Sequence, residues 1–297
     1  MATPLDALVP NLENVRMALA TALRERVIGD NAEEKSRTIM LAEGPRWFDE
    51  DRPIRQVHSD ASMFIGGIRA LLLQSLHPLA MAGVAQHSDF RSDPWGRLQR
   101  TADFLAITTF GTADMADNII ERIHAVHETV KGTTRDGVAY EANDQHLLRW
   151  VHVAEVDSFL TTYQTFAETP LSAKDADGYV EDMAVVARKM GIPAPPTSVK
   201  GLRDQLNSYR RELRSTPESR DAAKYLLIEP PLDAKGKVAY ATLCAAAIST
   251  LPVWARKDLR LPWLPLTERL AFRPLGTAAT KILRWATSAE TDVVRYR

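Results

Sequence analysis

The chain has 297 residues, of which 45% are hydrophobic and 25% charged, the balance of an ordinary soluble globular protein with enough apolar side chains for a sizeable core. Its 37 basic and 38 acidic residues leave a formal net charge of −1. Basic runs such as Arg210-Arg211 are broken by acids, here Glu212, as on a solvated helix face, which argues against a nucleic-acid partner. The single cysteine, Cys244, rules out an intrachain disulfide and fits a reducing cytoplasm.

The elements follow in order. Residues 5–28 carry Leu8, Leu12, Val15, Leu19 and Leu23 at helical spacing, with Gly29 as a stop, and predict an opening helix packed on the body through that face. Its acids and lack of a basic leader do not read as a signal peptide. Residues 30–52 are mostly polar, with an aromatic turn at Gly44-Pro45-Arg46-Trp47-Phe48. From Pro53 a long apolar helix is expected, burying Met63, Phe64, Ile68, Leu71 and Leu72. The Gly66-Gly67 pair in its middle costs helix stability and so predicts close approach of another helix or a flat ligand. His77-Pro78 breaks the ladder, and a short helix runs to His87.

Asp93-Pro94 is a helix start, and Phe110-Gly111 ends that helix. Thr112 caps the next, expected to run to Lys131-Gly132. Asn143 or Asp144 caps another through Phe166. Further helices are predicted near 173–191, 198–214, 217–228, 235–250 and 267–288. β-branched residues never gather in the alternating pattern of strands, so the fold class is all-α, read as a single helical domain over 1–297. The apolar run Val238–Ala255 is too interrupted for a membrane span, while peripheral membrane contact through Leu261-Pro-Trp-Leu-Pro-Leu266 stays open.

All seven histidines, at 58, 77, 87, 124, 127, 146 and 152, fall within residues 58–152. Imidazole is the commonest neutral metal ligand and the side chain best placed to move protons near neutral pH, so this clustering points to a site. On a helical wheel centred at Ile123, Ala116, Ile119, Ile120, Val126, Val130 and His127 share one face. His127 therefore sits in an aliphatic stripe, as a metal ligand or as a satisfied core histidine. His124 lies off that face, within reach of Glu121 and Glu128 for ion pairing. His152 shares a face with Leu148, Phe159, Tyr163 and Phe166, where it can orient a cofactor or hydrogen-bond Glu155. Arg97 and Thr101, four apart, point to one side of their helix, and the arginine can bind a cofactor carboxylate or make a surface salt bridge.

Other chemistries fare poorly. A di-iron carboxylate site needs two Glu-x-x-His pairs, and only Glu121-x-x-His124 is present. There is no His-Glu-x-x-His, Gly-x-Ser-x-Gly, P-loop or Gly-x-Gly-x-x-Gly.

Taken together, Gln74-Ser-Leu-His77-Pro78, Gly83-Val-Ala-Gln-His87-Ser88, Arg97-Leu-Gln-Arg-Thr101, His127-x-x-Val130-x-Gly132, Tyr140 and Trp150-Val-His152 resemble the MpaB and latex clearing protein family of haem b oxygenases. The resemblance covers roughly residues 45–230, with 231–297 as C-terminal helices. It implies an all-helical fold with a globin-like core and one haem b, with His127 at the axial iron ligand position and Arg97 and Thr101 beside the haem pocket; His152, by its place on the wheel, is taken as a further candidate for cofactor binding. Latex clearing proteins carry a glutamate base ahead of the Arg-x-x-x-Thr motif, whereas residues 61–96 here contain none. His77 and His87, with Asp89 and Asp93, are the polar candidates, and the two histidines are expected as distal catalytic groups. The implied function is a haem-dependent oxygenase or oxidase using dioxygen and an electron donor on a hydrophobic or lipid-like small molecule. The alternatives are a haem-binding sensor or carrier without turnover, and a cofactor-free helical interaction domain. The location implied is cytoplasmic, with membrane association open.

Overall fold

A computed structural model of the chain describes residues 4–29, 31–88 and 90–295. The fold is all-α. In order, α1 (Pro4–Val27), α2 (Ala32–Leu41), α3 (Pro53–His58), α4 (Ser62–Gln74), α5 (Pro78–His87), α6 (Pro94–Phe110) and α7 (Ala113–Glu128) lead to a small hairpin of β1 (Lys131–Thr133) and β2 (Ala139–Glu141). Then follow α8 (Gln145–Phe166), α9 (Ala173–Lys189), α10 (Val199–Ser208) with a 3-10 turn at Tyr209–Arg211, α11 (Pro217–Ile228), α12 (Ala234–Thr250) and α13 (Val253–Leu259). The chain closes with α14 (Pro265–Thr267), a π turn at Glu268–Phe272 and α15 (Arg273–Arg295).

Local capping sets most of these starts. Asp93 accepts from Gly96 N at 3.0 Å, Thr112 from Met115 N at 3.3 Å, and Asp144 from His146 N and Leu147 N at 2.8 and 3.0 Å. Each satisfies amides that a helix N-terminus leaves unpaired.

The core is built around α8, which buries Trp150, Val153, Ala154, Val156, Phe159 and Phe166 and packs against α4, α9, α10 and α15. The approach of α4 to α8 is closest at Gly66, where a Cβ atom would stand 2.6 Å from Phe159 Cδ1 and 2.8 Å from Thr162 Oγ1. Gly67 has nothing within 4 Å of the same position. The glycine pair thus divides its work: one residue permits helix contact and the other does not. Gly66→Ala is expected to destabilise the protein by roughly 1–2 kcal/mol, overpacking outweighing the gain in helix propensity. Gly67→Ala should instead stabilise by up to about 1 kcal/mol. Urea denaturation midpoints of the two variants check the contrast.

Several expected features differ. Val15 and Leu19 are exposed and, among the described side chains of α1, Ala20 is the buried one; the helix lies against α6 and α15, and the side chains of Leu8 and Leu12 lie outside the described residues. The polar stretch after residue 30 forms α2, with Glu33 and Glu34 in its first turn where the helix dipole favours acids. The long helix expected from Pro53 is broken at Ser59-Asp60-Ala61 into α3 and α4, and Leu71 is exposed while Ile65 and Leu73 are buried. Asp60 itself pairs with Arg284 of α15 at 2.6 Å, a long-range contact that no local pattern announces. The helix expected to reach Gly132 ends at Glu128. The polar connection beyond it pairs as the hairpin, with Gly132 opposite Tyr140, because that glycine leaves room for the tyrosine hydroxyl. Among the described residues no single helix is long and apolar enough to cross a membrane; α4 and α5 together have the length and composition but bend by 107°.

Candidate active site

Helices α6 and α7 are joined by Gly111-Thr112 and contact one another. Arg97 lies thirteen residues before Phe110 and His127 fourteen after Ala113, so each stands about 20 Å along its helix from the turn. Each therefore stands at the far end of its helix from that connection. The C-terminus of α5 contacts Arg97 on one side and the segment after α7 on the other. His87 Nε2 donates to Lys131 O at 3.1 Å, the Tyr140 hydroxyl donates to Gln86 Oε1 at 2.8 Å, and Arg97 donates to Ser88 Oγ at 2.5 Å.

His127 is half-buried one turn beyond Ile123, and its Nδ1 is buried with no hydrogen-bond partner. Burial, and secondarily the neighbouring His124, holds its pKa below the ordinary value against the Asn143 side chain, which raises it, so the ring stays neutral with a lone pair to offer. The stripe around it is narrower than expected: Ala116 and Ile120 are buried, but Val126 is 61% exposed. Val126 falls at the edge of the wheel, where the face turns to solvent. His124 finds Asn143, donating to its Oδ1 at 3.2 Å, rather than Glu121 or Glu128.

Arg97 is half-buried, and among the described residues it pairs with no carboxylate; desolvation lowers its pKa. A guanidinium in that state is a receptor for a carboxylate or other anion. Thr101 is exposed and its hydroxyl bonds back to Arg97 O at 3.1 Å, while Arg100 pairs with Asp93 at 3.0 Å. Asp89 lies outside the described residues.

The adjoining face of α8 carries Leu148, His152, Glu155 and Phe159, all within about 60° on a helical wheel. Leu148 packs with Ile120 and Ile123 of α7 and with Met190, which ties this face to the His127 stripe. His152 is buried, its Nε2 has no partner, and burial pushes its pKa down to about 4. The expected bond to Glu155 therefore does not engage that nitrogen. Glu155 has its pKa pushed up to about 7 by burial although its side chain keeps some accessible surface. Burial, and secondarily Glu155, raises the pKa of the Tyr179 phenol well above its ordinary value. His58 has the same pattern, lowered to about 3, but is fully satisfied, by Thr109 Oγ1 at 2.8 Å and the Tyr179 hydroxyl at 3.2 Å.

Of the residues expected at the site, His87 and Arg97 are linked through the C-terminus of α5, which bonds Lys131 O and Arg97, while His127 stands four residues before Lys131 at the end of α7 and His152 lies on the Leu148 face of α8. His77 does not join them. It precedes α5 while His87 ends it, about 15 Å apart along the axis. It packs on Trp150, which points some 160° away from His152 around α8. Glu155 was visible in the sequence only as a neighbour of His152; its burial comes from α9 and was not. The open groove along α2, lined by Asn31, Glu33, Arg37 and Leu41, contains none of these residues.

The titrating groups act in opposite directions on stability. His58 and His152, lowered from 6.5, contribute stability that is present above the unfolded value and lost as pH falls through about 4 to 3. Glu155, raised from 4.5 to about 7, contributes stability that is present below 4.5 and lost as pH rises through 7. Glu155→Gln is thus expected to gain on the wild type between pH 4.5 and 7, by at most on the order of 2–3 kcal/mol, in melting curves recorded across that range.

No curated protein and no solved structure matches the chain. The model of one protein family, described as the catalytic domain of the ER-bound oxygenase mpaB/B' and rubber oxygenase, matches residues 55–284 and so takes in α4 to α14 and part of α15 along with every candidate site residue. The match reaches beyond the expected 45–230 into the C-terminal helices, and it covers well over half of the chain, which therefore belongs to this family of oxygenases.

Proposed function

We propose that the protein is a haem b-dependent oxygenase or oxidase acting with dioxygen on a hydrophobic or lipid-like small molecule, with His127 as the residue that would hold its iron. The observation that carries this reading is the neutral His127, whose buried Nδ1 lacks a partner on the apolar face of α7 inside the family match. A buried imidazole nitrogen without a hydrogen bond is costly, and a metal bond is one way to satisfy it. Arg97, half-buried and without a carboxylate, fits a haem propionate, and Thr101 shares its side of α6. The second orphaned nitrogen, His152 Nε2, supports a cofactor-facing role for the α8 layer.

Haem bound there supplies the iron that activates dioxygen. The chain's own residues do the rest. Ile120, Ile123 and Leu148 keep water from the layer in which His127 and His152 lie. Glu155, poised near neutral pH, can hold or release a proton at its carboxyl, the task for which no glutamate is available between residues 61 and 96. His87 is the polar group at the hairpin. Exposed Trp263, Leu264, Leu266 and Leu270 support peripheral contact with a membrane that would deliver a hydrophobic substrate, which co-sedimentation with phospholipid vesicles checks.

The test is an absorption spectrum and haem assay of protein expressed with ample haem supply, followed by oxygen uptake with a panel of alkenes and other lipid-like substrates. Haem with substrate-dependent uptake upholds the reading. Haem without uptake on any substrate turns it into a sensor or carrier, and a colourless protein leaves a cofactor-free helical domain.

A further inference from the structure

On the side of α8 turned away from His152, three segments bring a second group of ligating side chains together. His77 comes from the corner between α4 and α5, His146 from the first turn of α8, and Glu212 from just after the 3-10 turn that follows α10. His77 is only 3% exposed, yet neither of its ring nitrogens makes a hydrogen bond. Its Nε2 is 3.5 Å from Glu212 Oε2, and the same carboxylate oxygen is 2.7 Å from His146 Nε2. One ligand atom from each of the three lies within 4.8 Å of the other two.

The surrounding hydrogen bonds dispose His146 to offer Nε2. The Tyr209 hydroxyl donates to His146 O at 2.9 Å, so toward His146 Nδ1, 3.3 Å away, it can only accept. Nδ1 therefore carries the ring proton. Nε2 of a neutral ring then has a lone pair facing a carboxylate oxygen, an arrangement that needs a proton or a cation between the two. This is the support that ligating histidines commonly receive through their other nitrogen. Trp150 and Tyr209 wall the pair: the His146 and Tyr209 rings stand 4.6 Å apart, and the His77 ring is 6.3 Å from each of Trp150 and Tyr209.

Tetrahedral coordination with bonds of about 2.0–2.1 Å separates ligand atoms by roughly 3.3 Å. The His77 to Glu212 spacing of 3.5 Å already has that value. The His146 to Glu212 spacing opens by a small rotation of Glu212, whose side chain is 42% exposed and free to move. The exposure of Glu212 and His146 also gives an ion a way in and leaves a fourth position to water.

We propose that His77, His146 and Glu212 form a binding site for one divalent transition-metal ion of the zinc class, separate from the His127 layer and independent of the haem reading. The ion clamps the α4–α5 corner, the start of α8 and the segment after α10, joining positions far apart in sequence. Two imidazoles and one carboxylate with an open position suit zinc and also ferrous iron, and metal analysis of the purified protein distinguishes them.

The full-length protein, stripped with a chelator and dialysed against Zn2+, is expected to retain one zinc per chain by mass-spectrometric metal counting and to melt several degrees higher with zinc than without. His146→Ala and Glu212→Ala, both at partly exposed positions that tolerate truncation, should each weaken zinc binding by more than the roughly 10–100-fold that loss of a mere supporting group costs. They should also abolish the zinc-dependent rise in melting temperature. His124→Ala, which removes a histidine outside the cluster, should keep both. Zinc retention unchanged in His146→Ala and Glu212→Ala, or no zinc held by the wild type, would overturn the proposal.

Discussion

Replacing His127 with alanine is expected to eliminate the haem absorption band while leaving the fold's stability within about 1 kcal/mol of wild type. The two effects separate because of where the residue sits. His127 is half-buried near the end of α7, its buried Nδ1 makes no hydrogen bond, and its ring fills no fully enclosed core position. Alanine leaves no orphaned polar atom behind and is the better helix former. Circular dichroism melting of the haem-free proteins checks the fold, and the oxidised and reduced spectra check the ligand. A variant whose haem spectrum is unchanged would move the ligand elsewhere, with His152 the next to be replaced, since its Nε2 is the other buried imidazole nitrogen of this layer without a partner.

The largest loss of stability is expected from Glu268→Ala, on the order of 3–5 kcal/mol in equilibrium denaturation. Arg256 and Glu268 form an ion pair in which both side chains are less than a tenth exposed. The guanidinium also donates to Leu251 O at 2.9 Å and Ser249 O at 3.2 Å, and the carboxylate accepts from Leu264 N at 3.0 Å. Removing the carboxylate strands a buried cation and frees the backbone amide of Leu264, the residue before α14. Replacing both partners by apolar residues, as in Arg256→Met with Glu268→Leu, should cost much less than the single change, because no uncompensated charge remains. A double variant no more stable than Glu268→Ala would show that the cost lies in the backbone bond and not in the charge.

The helical class, the starts of α5, α6, α7 and α8, and the inward turn of His127 are all legible in the amino-acid order alone. They rest on interactions within four residues. Asp93, Thr112 and Asp144 bond amides two or three positions ahead, proline presets the first turn, and a wheel needs only the spacing of Ile120, Ile123 and His127. The motif order from His77 to His152 likewise suffices for the family.

Partners and electrostatics are decided elsewhere. Arg284 reaches Asp60 across 224 residues at the break between α3 and α4, and His58 is satisfied by Thr109 and Tyr179, 51 and 121 residues away. His77, expected beside His87, meets His146 and Glu212 instead of the α6–α7 layer. Glu155 acquires a near-neutral pKa only because packing removes its water. Capping and helical periodicity are local properties of the chain, encoded wherever the right residues stand a few positions apart. Burial, the choice of hydrogen-bond partner and the desolvation that shifts a pKa are properties of surfaces brought together by folding, and no short stretch of sequence contains both sides of them.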